Sequence, residues 1–125
     1  VKTLVYPGFP TDLQQPFSVL LSRCRGKSTV EETIFENRFM HLPELRKMGM
    51  VVSLDDTVAT FIGPNELTAA IVNATDLRAG ASLVTAALAA KGVTTITNIE
   101  HILRGYEGLV EKLQDVGAKI KIEEI

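Results

Sequence analysis

Thr11-Asp12-Leu13 returns further along the chain as Thr75-Asp76-Leu77. The residues after each tripeptide are alike in kind. An apolar helix-like run leads to a Lys-Gly or Gly-Lys break, a Thr-rich strand-like run and an arginine, then a second helix and a glycine. Internal similarity at a long period restricts the possible architectures before any local detail does. The 125 residues therefore read as two copies of one supersecondary unit, roughly residues 1–62 and 63–125. Each copy is predicted to place an aspartate at the start of its first helix and an arginine before its second.

The local signals fill in each copy. Thr3 to Tyr6 is a short strand candidate, and Pro7-Gly8 and Pro10 force a turn after it. Thr11-Asp12-Leu13-Gln14 has the Thr-x-x-Gln form of a capping box. Pro16 requires the helix either to begin there or to have an irregular first turn. Phe17, Leu20, Leu21 and Cys24 lie at helical spacing and predict one apolar face. Thr29 to Phe35 is β-branched and strand-like. Asn37 or, given Pro43, Leu42 would cap a helix through Leu45 and Met48 that Gly49 stops. Met50–Leu54 and Thr57–Ile62 are strands about an Asp55-Asp56 turn.

In the second copy, Leu67 to Asn73 opens as a strand. Asp76 to Ala90 is an alanine-rich helix, apolar all round and so expected in the interior. Val93 to Ile99 is a strand. Tyr106, Leu109, Leu113 and Val116 mark the face of a last helix, and Lys119 to Glu123 alternates as a half-exposed strand. Each copy thus reads β-α-β-α-β, with an extra strand after the first. Strands alternating with helices predict an α/β fold.

Composition bounds the function. With 46% hydrophobic residues the chain can bury a core, and its net charge of −2 gives no electrostatic reason to bind nucleic acid or an anionic membrane. One cysteine rules out an internal disulfide framework and fits a reducing compartment. No apolar run approaches the roughly 18 residues that would span a bilayer, and no signal-peptide pattern is visible. The opening Val1-Lys2-Thr3-Leu4-Val5 lacks methionine and starts inside a strand-like run, as a piece of a longer protein would.

Few residues carry recognisable chemistry. Asp12 and Asp76 at helix starts can cap free backbone N–H groups. The same placement keeps an aspartate ionised and able to accept a hydrogen bond from a substrate hydroxyl. Arg78 just past Asp76, Arg104 in Leu103-Arg104-Gly105-Tyr106 and Arg38 between Asn37 and Phe39 are either solvated surface charges or part of an anion site near helix N-termini. His41 and His101 have no Cys, Asp or Glu at metal-ligand spacing, so no metal site is predicted and both are read as structural or surface residues. Cys24 is read as a small core residue. No glycine-rich phosphate loop of the Walker or Rossmann type is present.

Four stretches, however, resemble one family in its order and spacing. They are Pro7-Gly8-Phe9-Pro10-Thr11-Asp12-Leu13-Gln14, Glu32-Thr33-Ile34-Phe35-Glu36-Asn37-Arg38-Phe39, Ala74-Thr75-Asp76-Leu77-Arg78-Ala79 and Arg104-Gly105-Tyr106-Glu107. Together they are similar to the C-terminal part of the UDP-N-acetylglucosamine 1-carboxyvinyltransferases, in the enolpyruvyl transferase family. The resemblance implies an inside-out α/β barrel, in which each of two domains holds three βαβαββ units, so this chain would be a partial domain of about two. It implies a cytoplasmic transferase of peptidoglycan synthesis, and so a part in cell wall biogenesis, cell shape and cell division. Its substrates would be UDP-N-acetylglucosamine and phosphoenolpyruvate, with no cofactor.

Residue by residue, the resemblance makes Asp12 the general base at the sugar hydroxyl. Ile34 would bind the UDP-sugar through its backbone, with Phe35 beside it and Arg38 nearby. Arg104 would bind phosphoenolpyruvate and act in catalysis, with Arg78 as a second cation and Asp76 lining the same site. Leu103 stands where the family often has an acid, and Gly80 where serine is common. The family's reactive cysteine, a substrate lysine and a further anion-binding arginine belong to the N-terminal part, so this chain by itself is expected to be inactive, and Cys24 is not that cysteine. Two alternatives remain at this point: the same chemistry on another acceptor such as shikimate 3-phosphate, or a non-catalytic repeat module whose aspartates only cap helices.

Overall fold

The computed structural model describes residues 1–34 and 38–123. Phe35, Glu36 and Asn37 of the second matching stretch lie outside the described residues, as do the last two residues of the chain. Helices and strands alternate along the rest, and the arrangement is α/β.

The predicted strand at Thr3–Tyr6 is reduced to single bridges, Lys2 beside Glu31 and Thr3 beside Phe9. The reason is local. Gly8 N–H donates to the Val5 carbonyl at 2.8 Å, so the chain has turned back before a ladder can extend. A 3-10 turn at Thr11–Leu13 then runs directly into α1 (Gln14–Arg23). The irregular first turn that Pro16 requires is this 3-10 segment. The capping box does not form. Pro10 holds the cap position and no side chain closes it, because the Thr11 hydroxyl is taken by Glu32 instead.

The buried face of α1 is Gln14, Gln15, Ser18, Val19 and Ser22. Of the predicted face, Leu21 packs against the core and Phe17 is half-buried against Phe9, whereas Leu20 is 55% exposed and Cys24 is exposed and free. The small hydroxyl side chains can be buried because they satisfy themselves within the helix. Ser18 Oγ donates to the Gln14 carbonyl at 2.8 Å and Ser22 Oγ to the Val19 carbonyl at 2.7 Å.

Three antiparallel strands come next, β1 (Gly26–Glu31), β2 (Val52–Asp55) and β3 (Val58–Gly63), in the order β1-β3-β2. The register runs from Gly26 opposite Gly63 to Glu31 opposite Val58. β1 starts and stops earlier than the predicted Thr29–Phe35 run, since at Glu32 the side chain turns inward to a polar cluster. Asp56, at φ 54°, makes the tight turn between β2 and β3. Between β1 and β2, α2 (Leu42–Lys47) carries Pro43 in its first turn and buries Leu42 and Leu45.

In the second copy β4 (Ile71–Asn73) and β5 (Thr95–Thr97) pair in parallel, with α3 (Leu77–Ala89) as the crossover. The predicted strands Leu67–Asn73 and Val93–Ile99 thus contract to three residues each. α3 buries Ala79, Ser82, Leu83 and Ala86 but leaves Leu88 exposed, so it is interior on one side only. A short helix absent from the sequence reading, α4 (Glu100–Gly105), comes next, and the last helix begins only at Leu109, as α5 (Leu109–Asp115), after Gly108 in the left-handed region at φ 63°. Leu109 and Leu113 pack against the core, whereas Val116 is 80% exposed. The alternating run at Lys119–Glu123 forms no strand. Alternation supplies a face, and without a partner strand the face is not used.

One core serves both copies. Val30 and Phe61 from the sheet, Leu45 and Met48 from the α2 region and Val72, Leu83 and Ile102 from the second copy belong to one buried cluster. Fully burying side chains of this size stabilises by about 1.5–3 kcal/mol each. α1 packs on α3, which brings the two repeated tripeptides to neighbouring places.

Candidate functional site

The two tripeptides share a sequence but not a role. Asp76 is the N-cap of α3, in extended conformation, and its Oδ1 accepts from Ala79 N–H at 2.7 Å. Capping is therefore what Asp76 does within the fold. Asp12 caps nothing. It sits in the 3-10 turn with its side chain 66% exposed, and its Oδ1 accepts from Arg78 Nε at 2.6 Å. Arg38 Nη1 lies 4.0 Å from the same oxygen. Oδ2 accepts no hydrogen bond among the described residues and is open. An ion pair this exposed contributes about 0–1 kcal/mol to stability, so it does not hold the fold together. It gathers two guanidinium groups beside a solvent-facing carboxylate.

Arg104 arrives from the other side of α3. It lies ahead of α5, the predicted helix, but in the last turn of α4. Its Nε donates to the Glu100 carbonyl at 3.5 Å. Gly105 places it: the Leu77 side chain occupies the space that a Cβ there would need. The end of α4 with Arg104 is thereby packed on the first turn of α3 with Arg78. Further along the same pair of helices, a Cβ on Gly80 would lie 2.5 Å from Ile102 Cγ1. That close approach is a physical reason for glycine at this position in place of a serine.

The remaining predicted residues come from the loop after β1. Ile34 N–H donates to Glu32 Oε2 at 3.1 Å, which ties the start of this loop to the end of β1. Phe35 lies outside the described residues. The Arg38 carbonyl is held by both glutamine amides of α1, Gln15 Nε2 at 2.8 Å and Gln14 Nε2 at 3.2 Å. Asp12, Asp76, Arg78 and Arg38 are thus drawn together, with Arg104 on the adjoining helix end.

Two buried titratable groups lie behind these residues. His41 is fully buried, stacked on Phe39 with ring centroids 6.4 Å apart. Burial lowers its pKa to about 4, against the pull of the Asp76 carboxylate and the Arg38 carbonyl toward the charged form. It is a neutral structural histidine. Glu32 was not singled out from the sequence for any role. Burial would raise its pKa, but hydrogen bonds from Thr11, Thr3, Ile34 N–H and Gln14 outweigh that and hold it below the ordinary carboxylate value. One signal was available: an acidic residue inside a run that otherwise reads as a β-branched strand breaks the local pattern, and such breaks mark special sites.

A solvent-facing carboxylate beside Arg78 and Arg38, with Arg104 on the adjoining helix end, suits a substrate with both a hydroxyl and anionic groups. The sequence profile of the family described as EPSP synthase (3-phosphoshikimate 1-carboxyvinyltransferase) matches residues 1–113. The chain belongs to this family of carboxyvinyl transferases. It is 58% identical over 120 residues to UDP-N-acetylglucosamine 1-carboxyvinyltransferase 2 of Geobacillus kaustophilus, covering 96% of this chain and 28% of that relative. The enolpyruvyl transferase NikO of Streptomyces tendae superposes with a TM-score of 0.86 at 39% identity, over 97% of this chain and 28% of that one. EPSP synthase of Acinetobacter baumannii, at 16% identity, shares the fold with a TM-score of 0.75 over 88% of this chain and 27% of its own. The chain therefore spans under a third of the length of these relatives.

Proposed function

We propose that this chain is a segment of a UDP-N-acetylglucosamine 1-carboxyvinyltransferase and that it carries the base of the reaction. The observation that supports this most directly is Asp12. It is displaced from capping, exposed, and set against Arg78 and Arg38, in a chain 58% identical over 120 residues to a relative of that name. The sugar 3-hydroxyl adds through its oxygen to C2 of phosphoenolpyruvate while the C2–C3 double bond takes a proton at C3. Asp12 receives the hydroxyl proton. A carboxylate is a far weaker base than an alkoxide, so proton removal accompanies C–O bond formation. The tetrahedral adduct then loses a proton from C3 as its C2–O bond to phosphate breaks, leaving the enolpyruvyl ether and free phosphate.

Arg78 and Arg104 hold the carboxylate and phosphate of phosphoenolpyruvate and stabilise charge at the transition state. The Ile34 backbone, Phe35 and Arg38 hold the UDP-sugar, and Asp76 lines the site while capping α3. The remainder of the enzyme supplies the facing part of the site and the proton for C3. In this reading the two copies, roughly residues 1–62 and 63–125, are repeat units of an inside-out α/β barrel in a cytoplasmic enzyme of peptidoglycan synthesis.

The family description names a different acceptor, so 3-phosphoshikimate is the alternative. Phosphate release by the full-length enzyme, measured with each acceptor, separates the two. Turnover with UDP-N-acetylglucosamine and none with shikimate 3-phosphate is expected, and the reverse would overturn the assignment. Asp12→Asn should lower kcat about 10²- to 10⁴-fold. A loss of stability with no change in rate or sugar affinity would instead make Asp12 part of a non-catalytic repeat.

A further inference from the structure

Glu32 has a buried side chain at the end of β1, and it accepts hydrogen bonds from three separate segments. Oε1 takes the Thr11 hydroxyl at 2.7 Å and Gln14 Nε2 at 3.4 Å. Oε2 takes the Thr3 hydroxyl at 2.7 Å and Ile34 N–H at 3.1 Å. Thr11 is the residue before Asp12, and Ile34 is the backbone group assigned to the sugar. Gln14, from the next turn, also reaches the Arg38 carbonyl. One carboxylate thus spans the gap between the Asp12 turn and the loop that carries Ile34 and Arg38.

The second copy lacks this device. At the same offset from Thr75 that Glu32 has from Thr11, the sequence carries Ile96. The Thr75 hydroxyl is buried with no hydrogen-bond partner among the described residues. There the aspartate caps its helix and is fixed by the helix itself. In the first copy Asp12 is released from capping, and its turn needs another anchor. We infer that Glu32 is a positioning residue of the transferase, fixing the Thr11–Leu13 turn so that the Asp12 carboxylate meets the sugar hydroxyl held by the Ile34 loop. This rests on the assignment of Asp12 as base.

A carboxylate suits the place because each of these four partners among the described residues donates to it. Glutamine keeps the shape but puts an NH₂ where one oxygen was. On the Oε2 side that NH₂ meets the Ile34 N–H, an obligatory donor, and on the Oε1 side the Gln14 amide has to flip to accept and so gives up its bond to the Arg38 carbonyl. One link must open, and displacements of about 1 Å at a reacting group cost on the order of a hundredfold in rate.

The test is steady-state kinetics on the full-length enzyme carrying this segment, with Glu32→Gln, Asp12→Asn and the double variant. Met48→Ala, in the core away from the site, serves as a control for simple destabilisation. Glu32→Gln is expected to lower kcat on the order of tenfold to a hundredfold, and to lower it by less than about twofold in the Asp12→Asn background, since a base that is absent cannot be misplaced. Met48→Ala should lower Tm and keep kcat. Equal losses from Glu32→Gln in both backgrounds, or a folded Glu32→Gln enzyme with the wild-type kcat, would overturn the positioning role alone. Wild-type turnover by Asp12→Asn would overturn the base assignment itself. If Glu32→Gln does not fold, Thr11→Val, which removes only the link beside Asp12, replaces it with the same pattern expected.

Discussion

At the level of single residues, the site is set by what each carboxylate is asked to hold. Asp12 and Asp76 stand in the same tripeptide, and one became a cap while the other became free. The difference lies in what precedes them. Pro10 and the 3-10 turn leave no helix start at Asp12 for its side chain to close, whereas Asp76 meets the first turn of α3 in extended conformation. His41 shows the cost of burying a base near such groups. Its pKa of about 4 lies below the ordinary value of 6.5, so the unfolded chain binds more protons between those values, and stability rises with pH across that window. As pH falls from 6.5 to about 4, up to about 3 kcal/mol is lost. His41→Leu should flatten urea-unfolding midpoints over that range. Glu32, held low, keeps its contribution above the ordinary 4.5 and loses it as pH falls through its lowered value.

Among the elements, α3 organises the second half of the site. Its first turn carries Asp76 and Arg78, and the end of α4 is packed on it through Gly105 and Leu77. The cap bond makes a prediction that separates structure from ligand binding. Asp76→Ala should destabilise by about 0.5–2 kcal/mol, while Asp76→Asn should keep the cap and the Tm. If Asp76 also lines the substrate site, Asp76→Asn will raise the KM for substrate in the full-length enzyme at unchanged Tm. An unchanged KM would leave capping as its whole role. α1 carries the converse lesson. Its buried face is polar because hydroxyls bond their own helix and amide NH₂ groups bond a loop carbonyl, so most of its buried polar groups keep a partner.

For the whole molecule, the two-stranded parallel sheet of β4 and β5 stands out because apolar side chains beside it are exposed. Parallel sheets are normally covered on both faces. Here Ile71 on β4 is 70% exposed, and Val93, just before β5, is 88% exposed. Apolar groups left in the open drive association. The isolated 125-residue chain should therefore sediment as more than a monomer, and Ile71→Lys with Val93→Lys should shift it toward one. Sedimentation velocity checks both, and a monodisperse monomer at high concentration would count against a covering role for the rest of the enzyme.

How much of this was legible beforehand depended on the reach of each signal. Turns, the β2–β3 hairpin, the proline-led α2 and the α3 cap were readable because glycine, proline and aspartate act on the few residues around them. The internal repeat and the resemblance named Asp12, Arg38, Asp76, Arg78 and Arg104 before any coordinate. The buried face of α1 was misread because apolar spacing assumes that apolar residues are the ones buried. The final helix starts later than its apolar spacing suggests, because a left-handed glycine at Gly108 reads in sequence like a tolerated one, and α4 is too short to show a helical period. The amino-acid order alone pointed to the α/β character and to the residue types of the candidate site. Only the tertiary structure decided which aspartate caps a helix and which is set against Arg78, and that Glu32 ties the two segments together. Those outcomes depend on hydrogen bonds between residues far apart in the chain, and no local pattern carries that information.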